Sequence, residues 1–365
     1  YTQVEQLNKT ALKSHGLDSN GQLYKINSFE FYRYEDIIKK EDDAGYDKTA
    51  FEKMLEIKGD SDHTKLIDML TDLNDYSIGI EDVLKEHFDE ENIVYWMAFQ
   101  ILMGNVDTQN RNVYLYSPLN SDIWYFIAWD NDGCLMRPEY ELRNFSDQNS
   151  WEKGISNYWG NILFQRCLKS RSFREKLNDA ILDLREYLNK DMLTSKIESY
   201  KNVLKPYLYL MPDAEYEPLT SEQYDQIAAS LPDEIEKNYQ LYLESLETPM
   251  PFYIGVPTID GDKLKFNWDV SYDLDAEDIT YSVEVARDYL FQDVIYQNTT
   301  LTVPEAEMDL PNAGQYFVRV RATNTSGKTQ DAFDYYVTDE GKHYGMKCFY
   351  ITEDNTVEED IYEEG

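Results

Sequence analysis

Apolar residues recur through much of the chain at the spacing of helices. Residues 5–15 and 64–73 place them at i, i+3 and i+4, which predicts two amphipathic helices. Residues 80–103 are apolar almost all round, so we expect one long buried helix there. Residues 159–248 carry several amphipathic runs and predict a helical lobe.

Four shorter stretches alternate apolar or aromatic with polar side chains, the pattern of half-buried strands. Residues 22–26 and 29–34 are expected to pair as two strands at one edge of a cleft. Residues 113–116 and 124–129 flank a turn-rich segment that contains Pro, Asn, Ser and Asp. These two runs therefore predict a β-hairpin, and with the helices they indicate an α+β domain.

The character of the chain changes after Pro249 and Pro251, which stop the last helix and stiffen the connection. We expect a domain boundary here, between a first domain at residues 1–248 and a second at residues 250–340. The second consists of short alternating runs separated by turns, as in an all-β sandwich. These runs are residues 264–268, 279–286, 294–297, 315–324 and 334–337. From residue 341 to 365 we expect an acidic tail, in which residues 353–364 have too few apolar side chains to pack.

The charge of the chain excludes several classes of partner. Asp and Glu number 70 against 34 Lys and Arg, a formal charge of −36 that repels the phosphate backbone of nucleic acids and anionic lipid surfaces. No run reaches the ~18 apolar residues of a membrane helix, so we expect no membrane span in this chain. The three cysteines are widely spaced and form no CxxC pair, which argues against a structural zinc site.

The turns that flank the hairpin carry the residues that point to chemistry. Asp107 and Asn112 have the D-x-x-x-x-N spacing of a protein-kinase catalytic loop, and Asp130 follows one hairpin later, where such kinases place a metal-binding aspartate. Phosphoryl transfer needs a carboxylate for the acceptor and oxygen ligands that hold Mg²⁺ against the nucleotide phosphates. Asp132 is either a second metal ligand or a turn residue, since Asp at turns commonly hydrogen-bonds the backbone.

These motifs resemble the CotH-type spore-coat protein kinases, an atypical branch of the protein-kinase fold. The match comprises G-N-x-D-x4-N-x-Y-L-Y from Gly104 and W-x4-W-D-x-D from Trp124. Weaker matches lie upstream, V-E-Q-L from Val4 and G-x-L-Y-K from Gly21. Together they cover about residues 1–190, and the resemblance implies a kinase-like domain with a helical C-terminal lobe.

The resemblance also implies roles for individual residues. Asp107 is expected to be the catalytic aspartate, while Asn112 and Asp130 are expected to hold Mg²⁺ and ATP. Trp124 is implied as an aromatic wall for the adenine, since an indole face can stack on a purine for ~1–3 kcal/mol. A buried core tryptophan is the alternative for Trp124.

Three upstream residues are weaker candidates for nucleotide binding. Tyr24 is expected as an opposite aromatic wall, and Lys25 beside it as a phosphate contact, although an exposed strand lysine is often only a solubilising charge. Glu5 lies in a motif of the family and is expected to pair with a lysine or to help hold the metal. A surface glutamate on a helix is the ordinary alternative.

The strand-rich domain resembles a fibronectin type III module. The resemblance rests on a tryptophan predicted to be buried, Trp268, and on the strand G-Q-Y-F-V-R-V-R-A-T-N from Gly314. Such modules in bacteria are usually extracellular spacers or binders, which implies a secreted or cell-surface location and a cell-wall or surface partner.

The resemblance as a whole implies Mg²⁺-dependent transfer of the ATP γ-phosphate to Ser or Thr of another protein. Two alternatives stay open, because a fold does not fix a function. One is another ATP-dependent transfer such as adenylylation, and the other is a non-catalytic surface scaffold with a degenerate kinase-like domain. Family members carry further strands and a helix ahead of the position of Tyr1, so we expect the nucleotide-binding lobe to be incomplete in this sequence.

Overall fold

The computed structural model describes residues 4–143, 151–339 and 341–360 and has the expected α+β composition. Helices dominate the earlier part of the chain and antiparallel strands the later part. The chain divides into two units, the first formed by Tyr1–Arg143 and Tyr158–Gln240 and the second by Asn144–Asn157 and Leu241–Gly365. Within the described residues, no helix is both long and apolar enough to cross a membrane.

The first unit contains a four-stranded antiparallel sheet. Its strands are β1 (Gln22–Ile26), β2 (Leu55–Ile57), β3 (Val113–Ser117) and β4 (Tyr125–Ala128). They lie in the order β2-β1-β3-β4. β3 and β4 form the predicted hairpin, with Val113 opposite Ala128 and Tyr116 opposite Tyr125. Because directly opposed residues share one face of a sheet, this register decides which side chains lie together.

The helices follow the predicted order. They are α1 (Lys9–Ser14), α2 (Lys48–Met54), α3 (Thr64–Asn74), α4 (Ile80–His87), α5 (Glu90–Met103), α6 (Arg137–Leu142), α7 (Ile162–Lys169), α8 (Arg171–Tyr187), α9 (Lys190–Leu208), α10 (Ser221–Ser230) and α11 (Glu234–Leu246). The part of α11 after Gln240 belongs to the second unit.

Residues 80–103 form two helices, α4 and α5, instead of the single helix predicted. Phe88 between them has an extended backbone and forms a parallel β-bridge with Trp124. The Asp89 side chain caps the first turn of α5, and its backbone N–H donates to Trp124 O at 3.1 Å. The bridge gives partners to backbone groups next to β4, and this tertiary pairing overrides the helical pattern.

Residues 29–34 do not form the predicted strand. Phe31 and Tyr34 have left-handed backbones, with φ of 64° and 41°, a conformation incompatible with a strand. β2 takes the predicted place beside β1. The segment is instead held by the loop before β3, because Phe29 N donates to Asn110 O at 2.9 Å.

α5 supplies the centre of the core of the first unit. Its buried side chains point all round the helix, as the sequence pattern predicts, and each large one contributes about 1.5–3 kcal/mol. They are Ile93, Val94, Trp96, Met97, Ala98, Gln100, Ile101 and Leu102. Trp96 stacks on Phe164 of α7, with ring centroids 5.6 Å apart. A helix buried in this way is a rigid base for the loop that follows it.

The second unit is built from antiparallel strands. They are β5 (Thr258–Asp260), β6 (Lys263–Asn267), β7 (Ile279–Ala286), β8 (Val294–Leu301), β9 (Glu305–Asp309), β10 (Gly314–Asn324), β11 (Thr329–Asp331), β12 (Tyr335–Thr338), β13 (Gly341–Tyr344), β14 (Met346–Ile351) and β15 (Val357–Glu359). One sheet has the order β5-β6-β9 and the other β15-β14-β10-β7-β8, with β11 on β10 and a separate β12-β13 pair.

The core of the second unit contains the tryptophan predicted to be buried. Trp268 lies edge to face with Tyr281, with ring centroids 5.5 Å apart. Tyr316 OH donates to Asn312 O at 2.8 Å, a contact like the tyrosine corner of immunoglobulin-like sandwiches. The resemblance to fibronectin type III stays a prediction.

The acidic tail predicted from residue 341 onward is wrong for much of its length, because β13, β14 and β15 lie there. β14 pairs with both β10 and β15, and places Phe349 opposite Tyr316. Phe349 is fully buried. Residues 346–351, M-K-C-F-Y-I, carry the apolar content of this strand among the acidic residues that follow. Residues 361–365 lie outside the described residues.

Asp334 joins several segments of the second unit. Its Oδ2 accepts from Ile254 N at 2.7 Å, and its Oδ1 lies 3.2 Å from Lys347 Nζ. Its backbone oxygen accepts from Gly345 N at 2.7 Å. Burial raises the pKa of Asp334, and the nearby Lys347 and the Ile254 N–H offset this effect only in part.

The substitution Asp334→Asn should change how stability depends on pH. A carboxyl whose pKa is higher in the folded state stabilises the fold most below its unfolded pKa, near 3.8, and that contribution is lost as the pH rises through the folded pKa. Asn does not ionise and still accepts from Ile254 N. The variant should therefore gain stability relative to the wild type between about pH 4 and 7.

Denaturant unfolding at several pH values measures this difference. The exposed Asp262, changed to Asn, is the matched control and should show no such slope. A stability difference for Asp334→Asn that is the same at every pH would contradict the assignment of a raised pKa.

Candidate active site

The loop of the candidate site begins where α5 ends. Gly104 caps the helix with a left-handed φ of 62°, which glycine adopts without the steric cost of a Cβ. A Cβ at this position would lie 2.7 Å from Asn238 Nδ2, which donates to Leu102 O at 2.9 Å. The chain can therefore turn sharply from the buried helix into residues 105–112.

Three side-chain amides connect this loop to α5 and to the turn after β4. Asn105 Nδ2 donates to Gln100 Oε1 at 3.0 Å and to Asn131 Oδ1 at 3.4 Å. Gln100 Nε2 donates to Asn131 Oδ1 at 3.1 Å. We call Gln100, Asn105 and Asn131 the amide triad. Gln100 and Asn105 are buried, where an unpaired amide costs about 1–3 kcal/mol, so the triad favours one arrangement of the three segments.

Gly133 allows the turn after β4 to approach the loop closely. A Cβ on Gly133 would lie 2.6 Å from Asn105 Oδ1 and 3.9 Å from Asp107 Cβ. Farther along, Leu135 N donates to Met103 O at 2.8 Å and secures the chain against the end of α5. The turn therefore packs directly against the part of the loop that carries Asp107.

Asp107 is fixed by neighbours within its own loop. Asn112 Nδ2 donates to Asp107 Oδ2 at 2.7 Å and to Asp107 O at 3.1 Å. Arg111 Nε lies 3.6 Å from Asp107 Oδ1. The side chain of Asp107 nevertheless stays 53% exposed, so an oriented carboxylate remains accessible to a molecule from solvent.

Asp130 and Asp132 lie near enough to Asp107 to affect its ionisation. The pKa of Asp107 is raised, chiefly because surrounding atoms displace water and also because Asp132 and Asp130 add negative charge. The charge of Arg111 and the hydrogen bond from Asn112 lower the pKa in part. Of the four residues predicted as one cluster, Asn112 thus contacts Asp107 directly, while Asp130 and Asp132 lie near enough to add negative charge to it. A raised pKa makes Asp107 a better proton acceptor.

Asn112 and Asp130 have left-handed backbones, with φ of 57° and 53°. Asn and Asp adopt this conformation at lower cost than other residues that carry a Cβ, and such conformations are common at ligand sites. Asn112 directly precedes β3, and Asp130 lies two residues after β4. Because the two strands are antiparallel, both residues lie at the same end of the hairpin.

Glu30 is a residue of this region that sequence reasoning missed. Its Oε1 accepts from Asn110 Nδ2 at 2.6 Å, and its Oε2 accepts from Tyr34 OH at 2.5 Å. It thereby connects residues 29–34 to the loop at residues 105–112. Glu30 and Asn110 are 80 positions apart in the chain, so no local pattern marks the contact.

Trp124 and Tyr24 do not line an open cleft, and their predicted roles as walls for the adenine are wrong. Both side chains are fully buried, with ring centroids 6.0 Å apart. The bridge to Phe88 holds Trp124 in the core, and Tyr24 OH hydrogen-bonds His63 Nδ1 at 2.8 Å. Trp124 is therefore a core tryptophan, which was the alternative prediction for this residue.

Trp129 is the aromatic residue adjacent to the carboxylates. It is partly exposed and directly precedes Asp130. Its ring lies edge to face with Tyr114 of β3, with centroids 5.4 Å apart. The signal that could have identified it is its position next to Asp130 in the W-D-x-D motif.

Lys25 lies on the same face of the sheet as Tyr114, which it opposes directly in the β1–β3 pair. It is partly exposed, and its contact with a phosphate stays a prediction. Glu5 is exposed and pairs with His15 at 2.9 Å. The nucleotide-binding role of Glu5 also stays a prediction.

The ligand atoms present suit a hard divalent cation. Three carboxylates, from Asp107, Asp130 and Asp132, and the amide oxygen of Asn112 are the ligand types that Mg²⁺ prefers, usually one or two carboxylates together with phosphate and water. Among the described residues, no three His, Cys, Asp or Glu side chains form a ready cluster for a metal. A cation here would reduce the repulsion that contributes to the raised pKa of Asp107.

The substitution Gly133→Ala should destabilise the protein by about 1–3 kcal/mol, because the added methyl overlaps Asn105, which the amide triad holds in place. Gly79→Ala is the matched control, since Gly79 has a φ of −64° and its nearest atom, Asp82 Oδ2, would lie 3.6 Å away. The control should cost under about 1 kcal/mol. Denaturant unfolding measures both, and equal effects would contradict the close approach at Gly133.

Residues 1–242 match the family model described as CotH kinase protein. No curated protein matches the chain. One matching solved structure is "Structure of surface layer protein SbsC, domains 1-6", at 11% identity and a TM-score of 0.15, with 90% of this chain and 41% of that chain covered. The chain thus spans less than half of that protein, and a TM-score this low supports no argument about fold. The family match covers well over half of the chain, and the chain belongs to the CotH kinase protein family.

Proposed function

We propose that the first unit is an ATP-dependent, Mg²⁺-using protein kinase that phosphorylates Ser or Thr of an extracellular or cell-surface protein. The observation that carries the proposal is the close approach of two loops at one end of the β3–β4 hairpin, which brings Asp107 and Asn112 together with Asp130. Membership of the CotH kinase family supports a kinase-like domain and phosphotransfer as the class of reaction.

Asp107 accepts the proton of the acceptor hydroxyl in this proposal. The hydroxyl oxygen forms a bond to the γ-phosphorus of ATP while the bond from that phosphorus to the ADP oxygen breaks. The raised pKa of Asp107 favours uptake of the proton, and the hydrogen bond from Asn112 keeps the carboxylate oriented. The exposed half of its side chain leaves room for a polypeptide acceptor.

Asn112 and Asp130 hold Mg²⁺ in the proposal, and Asp132 is a candidate further ligand. Asn112 Nδ2 is used by Asp107, so Asn112 Oδ1 is the amide atom left for a cation. When bound, Mg²⁺ neutralises negative charge on the β- and γ-phosphates of ATP. Because both ligands lie at the same end of the hairpin, their spacing is set by the strand register.

Trp129 takes the adenine-binding role that Trp124 cannot fill. A partly exposed indole beside Asp130 can stack on a base for ~1–3 kcal/mol, and Tyr114 supports its ring from the edge. Lys25, on the same face as Tyr114, remains the candidate for a phosphate contact.

For the second unit we propose a fibronectin type III-like module that binds a cell-wall or surface partner, with the whole chain acting outside the bacterial cytoplasm. The buried Trp268 and the corner contact from Tyr316 to Asn312 support the sandwich assignment. A formal charge of −36 keeps such a protein soluble and away from nucleic acids.

Two substitutions should separate the roles of the aspartates. Asp130→Asn weakens a ligand of a hard cation, so both Mg²⁺–ATP affinity and transfer should fall. Asp107→Asn keeps the shape of the side chain but removes the proton acceptor, so affinity should stay within a few-fold while transfer falls by ~10²–10⁴. Calorimetry measures the affinity, and transfer from γ-³²P-labelled ATP measures the reaction.

Asp68→Asn, on the exposed side of α3, is the control for the loss of one carboxylate. The assay uses the natural full-length gene product with a Ser-containing acceptor. Label transferred from α-³²P-labelled ATP instead would favour adenylylation. Absence of nucleotide binding, or unchanged transfer in both site variants, would support the non-catalytic scaffold.

Trp129→Ala and Trp124→Ala should have different effects. Trp129→Ala should weaken ATP binding by roughly 5- to 150-fold, the equivalent of ~1–3 kcal/mol of stacking. Its loss of stability should be smaller than that of Trp124→Ala, because Trp129 is only partly buried against Tyr114. Trp124→Ala opens a cavity in the core and should cost about 3–5 kcal/mol of stability. Calorimetry and denaturant unfolding measure the two effects. Unchanged ATP affinity in a folded Trp129→Ala protein would remove Trp129 from the nucleotide site.

A further inference from the structure

α9 and the turn after it expose a row of large apolar side chains. Leu193, near the start of the helix, is buried, whereas the residues farther along are at least half exposed. These are Tyr200 (63%), Val203 (62%), Leu204 (52%), Tyr207 (66%), Leu210 (58%) and Met211 (69%). We call these six residues the α9 stripe. A monomeric soluble protein rarely leaves a contiguous apolar patch of this size uncovered.

The stripe continues a regular pattern that begins in the covered part of the helix. Apolar residues follow one another at alternating spacings of four and three, which is the a/d spacing of helices that pack along each other. They are Leu193, Ile197, Tyr200, Leu204 and Tyr207. The same seam is therefore buried by the first unit at its beginning and uncovered at its end, and a second helix would complete it.

The charges around the stripe indicate the chemistry of the partner. Residues 193–211 contain three lysines and one glutamate, a local charge of +2 in a chain of −36. Lys201 and Lys205 pair with Asp225, whereas Lys196 forms no ion pair within the part of the chain that the structure describes. Because Lys201 and Lys205 are already paired, Lys196 is the lysine of this helix that remains for an acidic group of a partner.

We infer that the α9 stripe is the contact surface of a homodimer, in which α9 of one copy packs antiparallel against α9 of a second copy. If the twofold axis passes between Val203 and Leu204, Tyr200 of each copy lies beside Tyr207 of the other. Lys196 then lies near the acidic turn of the other copy, at residues 213–217. Opposite charges meet at both ends of the contact, as the self-complementary surface of a twofold dimer requires.

The exposed area is close to what a dimer needs. Side chains of this kind present on the order of 150–250 Å² when fully free, so six that are half to two-thirds exposed offer roughly 600 Å² in each copy. Tyr216, in the acidic turn, is 81% exposed and extends this surface. Stable interfaces bury about 800 Å² per partner, so we expect a dimer that dissociates reversibly at micromolar concentrations.

Sedimentation velocity from about 1 to 200 µM tests the dimer, since an interface of this size should dissociate within that range. The wild type should pass from monomer to dimer. Leu204→Glu buries an unpaired carboxylate in the contact and should weaken association at least ~100-fold. Leu290→Glu is the matched control, because Leu290 is 57% exposed in the second unit, and it should dimerise like the wild type. Unchanged thermal unfolding confirms that both variants are folded.

Disulfide cross-linking tests the antiparallel arrangement. The background carries Cys134→Ser, because Cys134 is partly exposed whereas Cys167 and Cys348 are buried. Tyr200→Cys mixed with Tyr207→Cys should give the mixed disulfide in excess over either self-linked product. A wild type that is monomeric at the highest concentration, equal association of Leu204→Glu and Leu290→Glu, or predominant self-linking of Tyr200→Cys would each overturn the inference.

Discussion

The candidate site depends on the amide triad of Gln100, Asn105 and Asn131. The carboxylates of Asp107, Asp130 and Asp132 repel one another, and nothing within that cluster would bring them together. The segments that carry them are held together by hydrogen bonds among the amides of the triad, which are neutral, largely buried and do not titrate. Because the amide triad is neutral, its geometry stays the same whether or not the nearby carboxylates are neutralised. The arrangement of the candidate site therefore does not depend on the charge of its carboxylates.

The parts of the site that follow from the sequence are those set by local spacing. Asp107 and Asn112 share one loop, and the hairpin between Asn112 and Asp130 has the length of two short strands, so both could be assigned before the structure was known. Trp124 could not be distinguished from Trp129 in this way. The difference comes from the backbone bridge between Phe88 and Trp124, which connects positions far apart in the chain. Glu30 could not be predicted either, because its partner Asn110 is also far away in the chain.

The predictions for two other segments, one from an alternating pattern and one from average composition, were wrong. Residues 29–34 alternate like a strand, yet Phe31 and Tyr34 adopt left-handed backbones, and Phe29 hydrogen-bonds the loop before β3. The stretch from residue 341 onward is acidic overall, but six consecutive residues, 346–351, carry enough apolar surface to join a sheet. Likewise, the assignment of residues 151–157 to the second unit follows from tertiary contacts that no turn or linker signal reveals.

The position of β14 has a consequence for how the second unit is made. β10 has β7 on one side and β14 on the other, and β14 follows it only after β11, β12 and β13. During synthesis, residues 314–319 of β10 therefore lack a partner on one side until residues 346–351 have appeared, while β11 covers residues 321–323 on that side. The unpaired backbone N–H and C=O groups of such an edge can pair with another strand, including one from a neighbouring nascent chain. A polypeptide that ends before β14 would therefore be prone to aggregate.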